Sequence, residues 1–540
     1  MTMRTLFYIL CCASFLQASE SFMQTVQVPM RDGILLPMDI YLPNKDAKSL
    51  PCILIRSPAG RQQQTALTYI PLVKHGYVVA IQATRSTLDL AGKTIPYRSD
   101  GWSQHQDGYD TVEWLAAQAV SNGKIGTLGF SAQGITQLLM APTAPPSLKC
   151  QYIGVAAGSL RDHAIFPNGK LRKHQVEAWL GYYAGDPGVF SFVANHQFYD
   201  EFWEEFDSIK IVDKVNVPAL FQGGWYDVFI QGTLDAFTAR QENGGEGAKG
   251  RQKLVVGPWV HFWPATTQLG DFQVPEQGRQ PPVDIAPARW FDHYLKGVSN
   301  QVEELPPVTY YVMGPFDGGS SSGNVWRHAE RWPVPAQGTP YYLADYGGLS
   351  KDKPARNSLS IGFVHDPANP IPTLGGHNLF IDSGPMDQRP IEARDDIILF
   401  TTEPFQADLE VTGRIKARLF VSSDCCDTDF VVRLTDVYSD GRSILICDGA
   451  YRTGLLTVEG KKVEPGQIHE IEVDLESTSV VFAKGHRLRI SVSGSNYPRY
   501  DLNRNVGWFG VHAGPNVVAH NKVYLGSDYP SAITLPIVTR

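Results

Sequence analysis

"KIGTLGFSAQG", residues 124–134, is a β-prone apolar run followed by a glycine, a serine and the start of a helix-like stretch, "QGITQLLMA". A serine between a strand and a helix can sit on a sharp, strained turn that lifts its hydroxyl off the sheet edge. Small neighbours are then required, and Gly129 and Ala132 supply them. The pattern departs from G-x-S-x-G, because Gln133 stands where the second glycine is usual and Gly134 comes three residues after Ser131. Glycine and serine are also common punctuation between elements, so partners elsewhere must decide the reading.

Working outward, "CILIRSP" (52–58), "YVVAIQATR" (77–85) and "IGTLGF" (125–130) alternate with helix-like text such as "DGYDTVEWLAAQ". That alternation predicts βαβ units around a parallel sheet, which "YIGVAAG" (152–158), "PALFQGG" (218–224) and "QKLVVGPW" (252–259) extend. Between about 160 and 215 the text turns aromatic and helical, without a buried strand, and reads as a cap inserted between sheet strands. "ARWFDHYLKG" (288–297) reads as the last large helix, and a Pro- and Gly-rich passage follows to about 337. In "GRIKARLFVSS", Ile415, Ala417, Leu419 and Val421 share one face, with Arg414, Lys416 and Arg418 on the other. "HRLRISVSG" repeats the period of two with Leu488, Ile490 and Val492, which predicts an antiparallel sandwich or jelly roll. The expected division is therefore 24–335 for an α/β domain with its cap and 338–540 for the β-sandwich.

The composition narrows the function. In 540 residues the formal net charge is −8 with no long basic run, which gives a nucleic-acid polyanion no footing. The first residues, "MTMRTLFYILCCASFLQASES", carry Arg4, an apolar run and small residues near Ala18, the pattern of a signal peptide over 1–19. Export to a secreted or periplasmic location is expected, with no membrane span in the rest of the chain. Beyond the signal, Cys52, Cys150, Cys425, Cys426 and Cys447 remain. They leave open either a bridge from Cys425 or Cys426 to Cys447 or buried free thiols. No metal-ligand spacing or nucleotide fingerprint occurs, so no cofactor is expected.

A serine nucleophile needs an imidazole to take its proton and a carboxylate to orient that imidazole. In "PALFQGGWYDVF" a strand ends at Asp227, and in "KLVVGPWVHFW" the next ends at His261. The order Ser, acid, His, each just past a strand end, is that of a hydrolase built on an open α/β sheet. Trp225 and Trp259, beside the acid and the base, are substrate-pocket candidates. The cap aromatics Trp179, Tyr182, Tyr183, Phe198, Phe202 and Trp203 read mainly as packing. The acidic cluster Asp200, Glu201, Glu204 and Glu205 reads as a solvated helix face or as a receptor for a substrate amine.

The passages "DGYDTVEWLAAQAVSNGKIGTLGFSAQG", "FYDEFW", "GGWYDVF", "GPWVH", "WFDHYLKG", "DTDFVVRLTDVYSDG" and "YRTG" resemble the cocaine esterase and α-amino-acid ester hydrolase family, related to X-Pro dipeptidyl-peptidases. The resemblance covers nearly the whole mature chain. It implies an α/β-hydrolase domain with a helical cap and a C-terminal jelly roll. It also implies Ser131 as nucleophile, Asp227 as acid and His261 as base. The backbone N–H of Ala132 is the implied oxyanion donor. The family's second donor is a tyrosine in an R-x-P-Y motif, and in "RSPAG" Ala59 takes that place, which makes Ala59 a further pocket candidate and turns attention to Arg61 and Tyr69.

The expectation is an exported serine hydrolase that cleaves a small-molecule ester or related acyl bond. An X-Pro dipeptidyl-peptidase-like or acylase activity is the alternative among enzymes. A degenerate hydrolase serving as a binding module is the alternative from another class. The sequence leaves the acyl group, the leaving group and self-association open.

Overall fold

The computed structural model describes residues 21–87, 95–184, 186–357, 359–458, 460–507 and 514–539. The expected signal peptide lies outside the described residues.

Strands β1 (Phe22–Pro29), β2 (Leu35–Leu42), β3 (Leu50–Ser57), β4 (Val78–Ala83), β5 (Ser121–Phe130), β6 (Leu148–Gly154), β7 (Ala219–Tyr226) and β8 (Lys253–Val260) lead into a two-stranded hairpin, β9 (Gln268–Leu269) and β10 (Phe272–Gln273). β11 (Val308–Val312) and β12 (Val325–Ala329) complete the first large sheet, ordered β1-β2-β4-β3-β5-β6-β7-β8-β11-β12. From β4 through β3 to β11 the neighbours run parallel, while β1, β2 and β12 close the two edges antiparallel. All eight residues of β7 and of β8 are buried, as strands covered on both faces must be.

Helices α1 (Gln63–Tyr69), α2 (Asp107–Ala116) and α3 (Ala132–Met140) follow β3, β4 and β5. The cap carries α4 (Lys173–Tyr183), α5 (Pro187–Asn195) and α6 (Glu201–Glu204), between β6 and β7. Then come α7 (Ile230–Asn243) after β7 and α8 (Pro287–Lys296) before β11. Met140 of α3 and Val112 and Leu115 of α2 join the core on one face, and Phe291 and Leu295 of α8 join Tyr69 of α1 on the other. One apolar cluster runs without a break from the cap through β7 and β8 into the second sheet.

Among the described residues, that second sheet has eleven strands between Gln337 and Ile537. In its longest strand, Leu409–Ser423, Ile415, Ala417, Leu419 and Val421 are buried while Arg414 and Arg418 are exposed, the alternation the period of two demands. The sandwich packs against the α/β domain and its cap, and this contact shapes the site. All five cysteines beyond residue 20 are free thiols, so no bridge joins Cys425 or Cys426 to Cys447.

Candidate active site

The turn after β5 holds Ser131 at φ 58° and ψ −124°, a conformation that costs a non-glycine residue energy unless its surroundings fix it. They do: the Ser131 N–H donates to the Gly154 carbonyl of β6 at 2.9 Å. The displaced glycine has a local cause. A Cβ on Gly134 would come within 2.7 Å of Ala156 Cβ and 3.0 Å of the Gly154 carbonyl oxygen, so α3 can lie against β6 only if residue 134 is bare. A Cβ on Gly129 would come within 2.5 Å of Gln133 Cβ. Gln133 instead turns its side chain away, where its Oε1 accepts from the Tyr69 hydroxyl at 2.5 Å.

β7 and β8 deliver the other two groups. Asp227 caps the end of β7 in a tight turn, its N–H donating to the Gly224 carbonyl and its own carbonyl accepting from Ile230. Gly224 is required because a Cβ there would come within 2.3 Å of the Trp259 carbonyl oxygen on β8. Asp227 is fully buried, and its Oδ1 accepts from His261 Nδ1 at 2.5 Å. The Ser131 hydroxyl then donates to His261 Nε2 at 2.8 Å. The imidazole is held edge-on by Phe229, with ring centroids 5.5 Å apart, and by Phe262 at 5.2 Å. The sequence thus placed Ser131, Asp227 and His261 where the fold brings them into one hydrogen-bonded line.

Ala132 is the first residue of α3, so its N–H belongs to the helix's first turn, which has no intrahelical acceptor. The helix dipole adds to the attraction such an N–H exerts on negative charge. Neither residue singled out as a substitute donor is free for that role. Arg61 is ion-paired with Asp39, and the Tyr69 hydroxyl is committed to Gln133. Ala59 is half-buried in the loop after β3, and its carbonyl accepts from Gln62 Nε2 at 3.0 Å. The same Gln62 nitrogen donates to the Tyr182 hydroxyl of the cap at 2.8 Å.

The two tryptophans part company. Trp225 is not a pocket residue: it is fully buried, its indole N–H donates to the Tyr311 carbonyl at 2.6 Å, and its ring packs on Trp332. Its neighbours in sequence mark the site, but the pleat sends its side chain into the core instead. Trp259 stacks on Trp263 at 5.2 Å and 6° and lines a cleft of about 560 Å3 together with Phe130 and Tyr152, a lining in which Ser131, Asp227 and His261 take no part. The Pro281–Pro287 stretch leading into α8 lines the same cleft. In the cap, Trp179 and Trp203 are core, whereas Tyr182 and Phe198 are exposed. The acidic cluster is partly engaged in structure: Asp200 caps α6 and contacts His196 at 2.6 Å, and Glu205 pairs with Arg98 at 2.6 Å.

Comparison with known proteins identifies the family. The model of the X-Pro dipeptidyl-peptidase (S15 family) matches residues 32–187 and 177–263, and that of the X-Pro dipeptidyl-peptidase C-terminal non-catalytic domain matches 300–534. The chain is 33% identical to the cocaine esterase of Rhodococcus sp. (strain MB1 Bresler), over 96% of its own length and 99% of the relative's. The chain belongs to the cocaine esterase family. A putative serine esterase of Mycobacterium tuberculosis (strain CDC 1551 / Oshkosh) is 23% identical over 95% of this chain and 94% of its own. Among solved structures, an α-amino acid ester hydrolase superposes with a TM-score of 0.79 at 24% identity, covering 97% of this chain and 98% of that one. An aminopeptidase from a marine sediment Thaumarchaeota archaeon superposes with a TM-score of 0.78 at 23% identity, covering 96% and 97%. Both share the fold. Membership in the family makes this chain a hydrolase with an α/β-hydrolase fold and a C-terminal β domain.

Proposed function

We propose that the protein is an exported serine hydrolase that cleaves a small-molecule carboxylic ester through an acyl-enzyme, with Ser131 as nucleophile, His261 as base and Asp227 as its orienting acid. The observation that carries this reading is the continuous line Asp227–His261–Ser131, closed at 2.5 and 2.8 Å on a strained elbow. In it, His261 Nε2 takes the Ser131 proton as Oγ bonds to the ester carbonyl carbon. The carbonyl oxygen becomes an oxyanion beside the Ala132 N–H. Collapse breaks the bond to the alcohol, which leaves with the proton from His261. Water, deprotonated by the same imidazole, then attacks the acyl-serine and releases the acid. Asp227 keeps the imidazole in the Nδ1–H tautomer and stabilises its cation throughout.

The ester reading is preferred to the peptidase one because the acidic residues suited to hold a substrate amine are in part committed elsewhere, Asp200 to a helix cap and Glu205 to Arg98. A vestigial site would have no reason to keep Ser131 strained and hydrogen-bonded to a buried imidazole–carboxylate pair. The amino-terminal pattern of charge, apolar run and small residues supports export. Short-chain aryl esters tested beside X-Pro anilides, with Ser131→Ala as control, decide the matter. Hydrolysis of the esters alone, lost in the variant, is expected; cleavage of the anilides alone would replace the ester reading.

A further inference from the structure

Arg172 enters the cap just before α4, and its guanidinium is almost wholly buried. Its Nη1 donates to the Val228 carbonyl at 2.6 Å and to the His163 carbonyl at 2.8 Å, while Nη2 reaches Glu476 Oε1 at 2.5 Å. Val228 follows Asp227 directly, and the peptide whose oxygen Arg172 holds is the one that leads into Phe229, the ring that braces His261. Glu476 belongs to the β-sandwich, in the strand His469–Phe482, and its second oxygen meets His377 Nδ1 at 2.9 Å.

Glu476 is an unusual residue for a strand interior. Its φ is 65°, a left-handed conformation that costs a side-chain-bearing residue energy, and it falls where the pairing of that strand with Leu409–Ser423 shifts register. The bulge aims a carboxylate out of the sandwich and into the α/β domain. Its neighbours dock the same ridge: the Asp474 carbonyl accepts from Asn168 Nδ2 at 2.8 Å, and the Ser477 hydroxyl donates to Gln231 Oε1 on α7 at 2.8 Å. From a different strand, the Leu445 carbonyl accepts from the hydroxyl of Tyr226, the residue before Asp227, at 2.9 Å. The turn that carries the acid is therefore gripped on both sides by groups the sandwich supplies or anchors.

The geometry points to Arg172 and Glu476 as positioning residues of the hydrolase: the sandwich carboxylate orients the cap guanidinium, and the guanidinium fixes the Asp227–Phe229 turn so that acid and imidazole stay aligned. The β domain, whose counterpart in the X-Pro dipeptidyl-peptidase model is described as non-catalytic, thereby acts on the reacting groups at second hand. A buried arginine fork suits this task because its planar donors reach two carbonyls and a carboxylate at once, which a lysine ammonium on a flexible stem does not. Glu476 touches no reacting atom, so its effect falls on kcat and leaves substrate binding in place.

This inference rests on the proposed ester reading, and the test separates the two. Arg172→Lys keeps the charge and loses the fork, and Glu476→Gln keeps the shape and loses the charge. Both are compared with the parent on a short-chain aryl ester, with active sites counted by fluorophosphonate titration and folding checked by Tm. The expected result is a kcat per titrated site lowered about tenfold in Arg172→Lys and by less in Glu476→Gln, with KM within about twofold, as small misalignments of catalytic groups produce. A kcat per site equal to the parent's in both folded variants would overturn the inference. The downfield proton resonance of the His261–Asp227 hydrogen bond reads the same alignment without turnover. A parent inert on esters removes the ester reading alone, and the relay then stands if Arg172→Lys shifts or loses that resonance and falls if the resonance is unchanged.

Discussion

Ser131 Oγ and His261 Nε2 stand 2.8 Å apart although 130 residues separate them in the chain. Only the parallel register of β5 through β8 brings them together, and Asp227 completes the line from the strand between. Asp227→Asn preserves volume but reverses the hydrogen bond that selects the Nδ1–H tautomer. The expected result is a loss in kcat on the order of 10^3- to 10^4-fold with little change in Tm. Steady-state kinetics on an aryl ester, with a melting curve, check both.

Gly134→Ala tests the elbow. Its new Cβ would press on Ala156 and on a backbone oxygen that cannot step aside, so α3 must shift and carry Ser131 with it. Overpacking of this kind costs about 1 to 3 kcal/mol, and the rate of fluorophosphonate labelling should fall alongside the Tm. Labelling at the parent rate would show that the elbow tolerates the displacement.

Arg61→Ala should leave kcat within about twofold, because its guanidinium is engaged with Asp39, and removing an oxyanion donor would cost on the order of a hundredfold. Tyr69→Phe removes the donor to Gln133 and should cost about 1 kcal/mol of stability. Ester kinetics and denaturant titration measure the pair.

Stability should decline on acidification through Glu476. The neighbouring Arg172 guanidinium and the hydrogen bond from His377 hold its carboxyl well below the usual range despite burial. The native state therefore binds fewer protons than the unfolded chain, so this contribution is complete above about pH 4.3 and is lost as pH falls below it. Asp100 works in the opposite sense. Burial pushes it up to about 6, so its cost to the fold grows as pH rises from about 4 to 6. In Glu476→Gln the fall in Tm below about pH 4 should be shallower than in the parent, as a pH series of melting curves will show.

The sequence was legible where one local rule sufficed. Period-two alternation in 414–421 and the apolar strand ends at Asp227 and His261 each follow from a few adjacent residues, and the fold uses them as written. The displaced Gly134 became intelligible only with Ala156 beside it, a contact 22 positions away that no local pattern records. Trp225 misled because proximity in sequence to Asp227 says nothing about which side of a doubly covered strand a ring takes. Arg172 and Glu476 carried no signal at all, since a charged residue in a helical cap and another in a β-strand read as surface until the domains are docked.

The most direct test of the account is whether Ser131 is acylated. The protein would be mixed with a short-chain aryl ester, quenched during the burst and digested for mass spectrometry, beside Ser131→Ala. The account predicts an added acyl group on the peptide that contains Ser131, absent from the variant, forming as fast as the aryl alcohol appears. Ester turnover that persists in Ser131→Ala, or an acyl group on another residue, would contradict it.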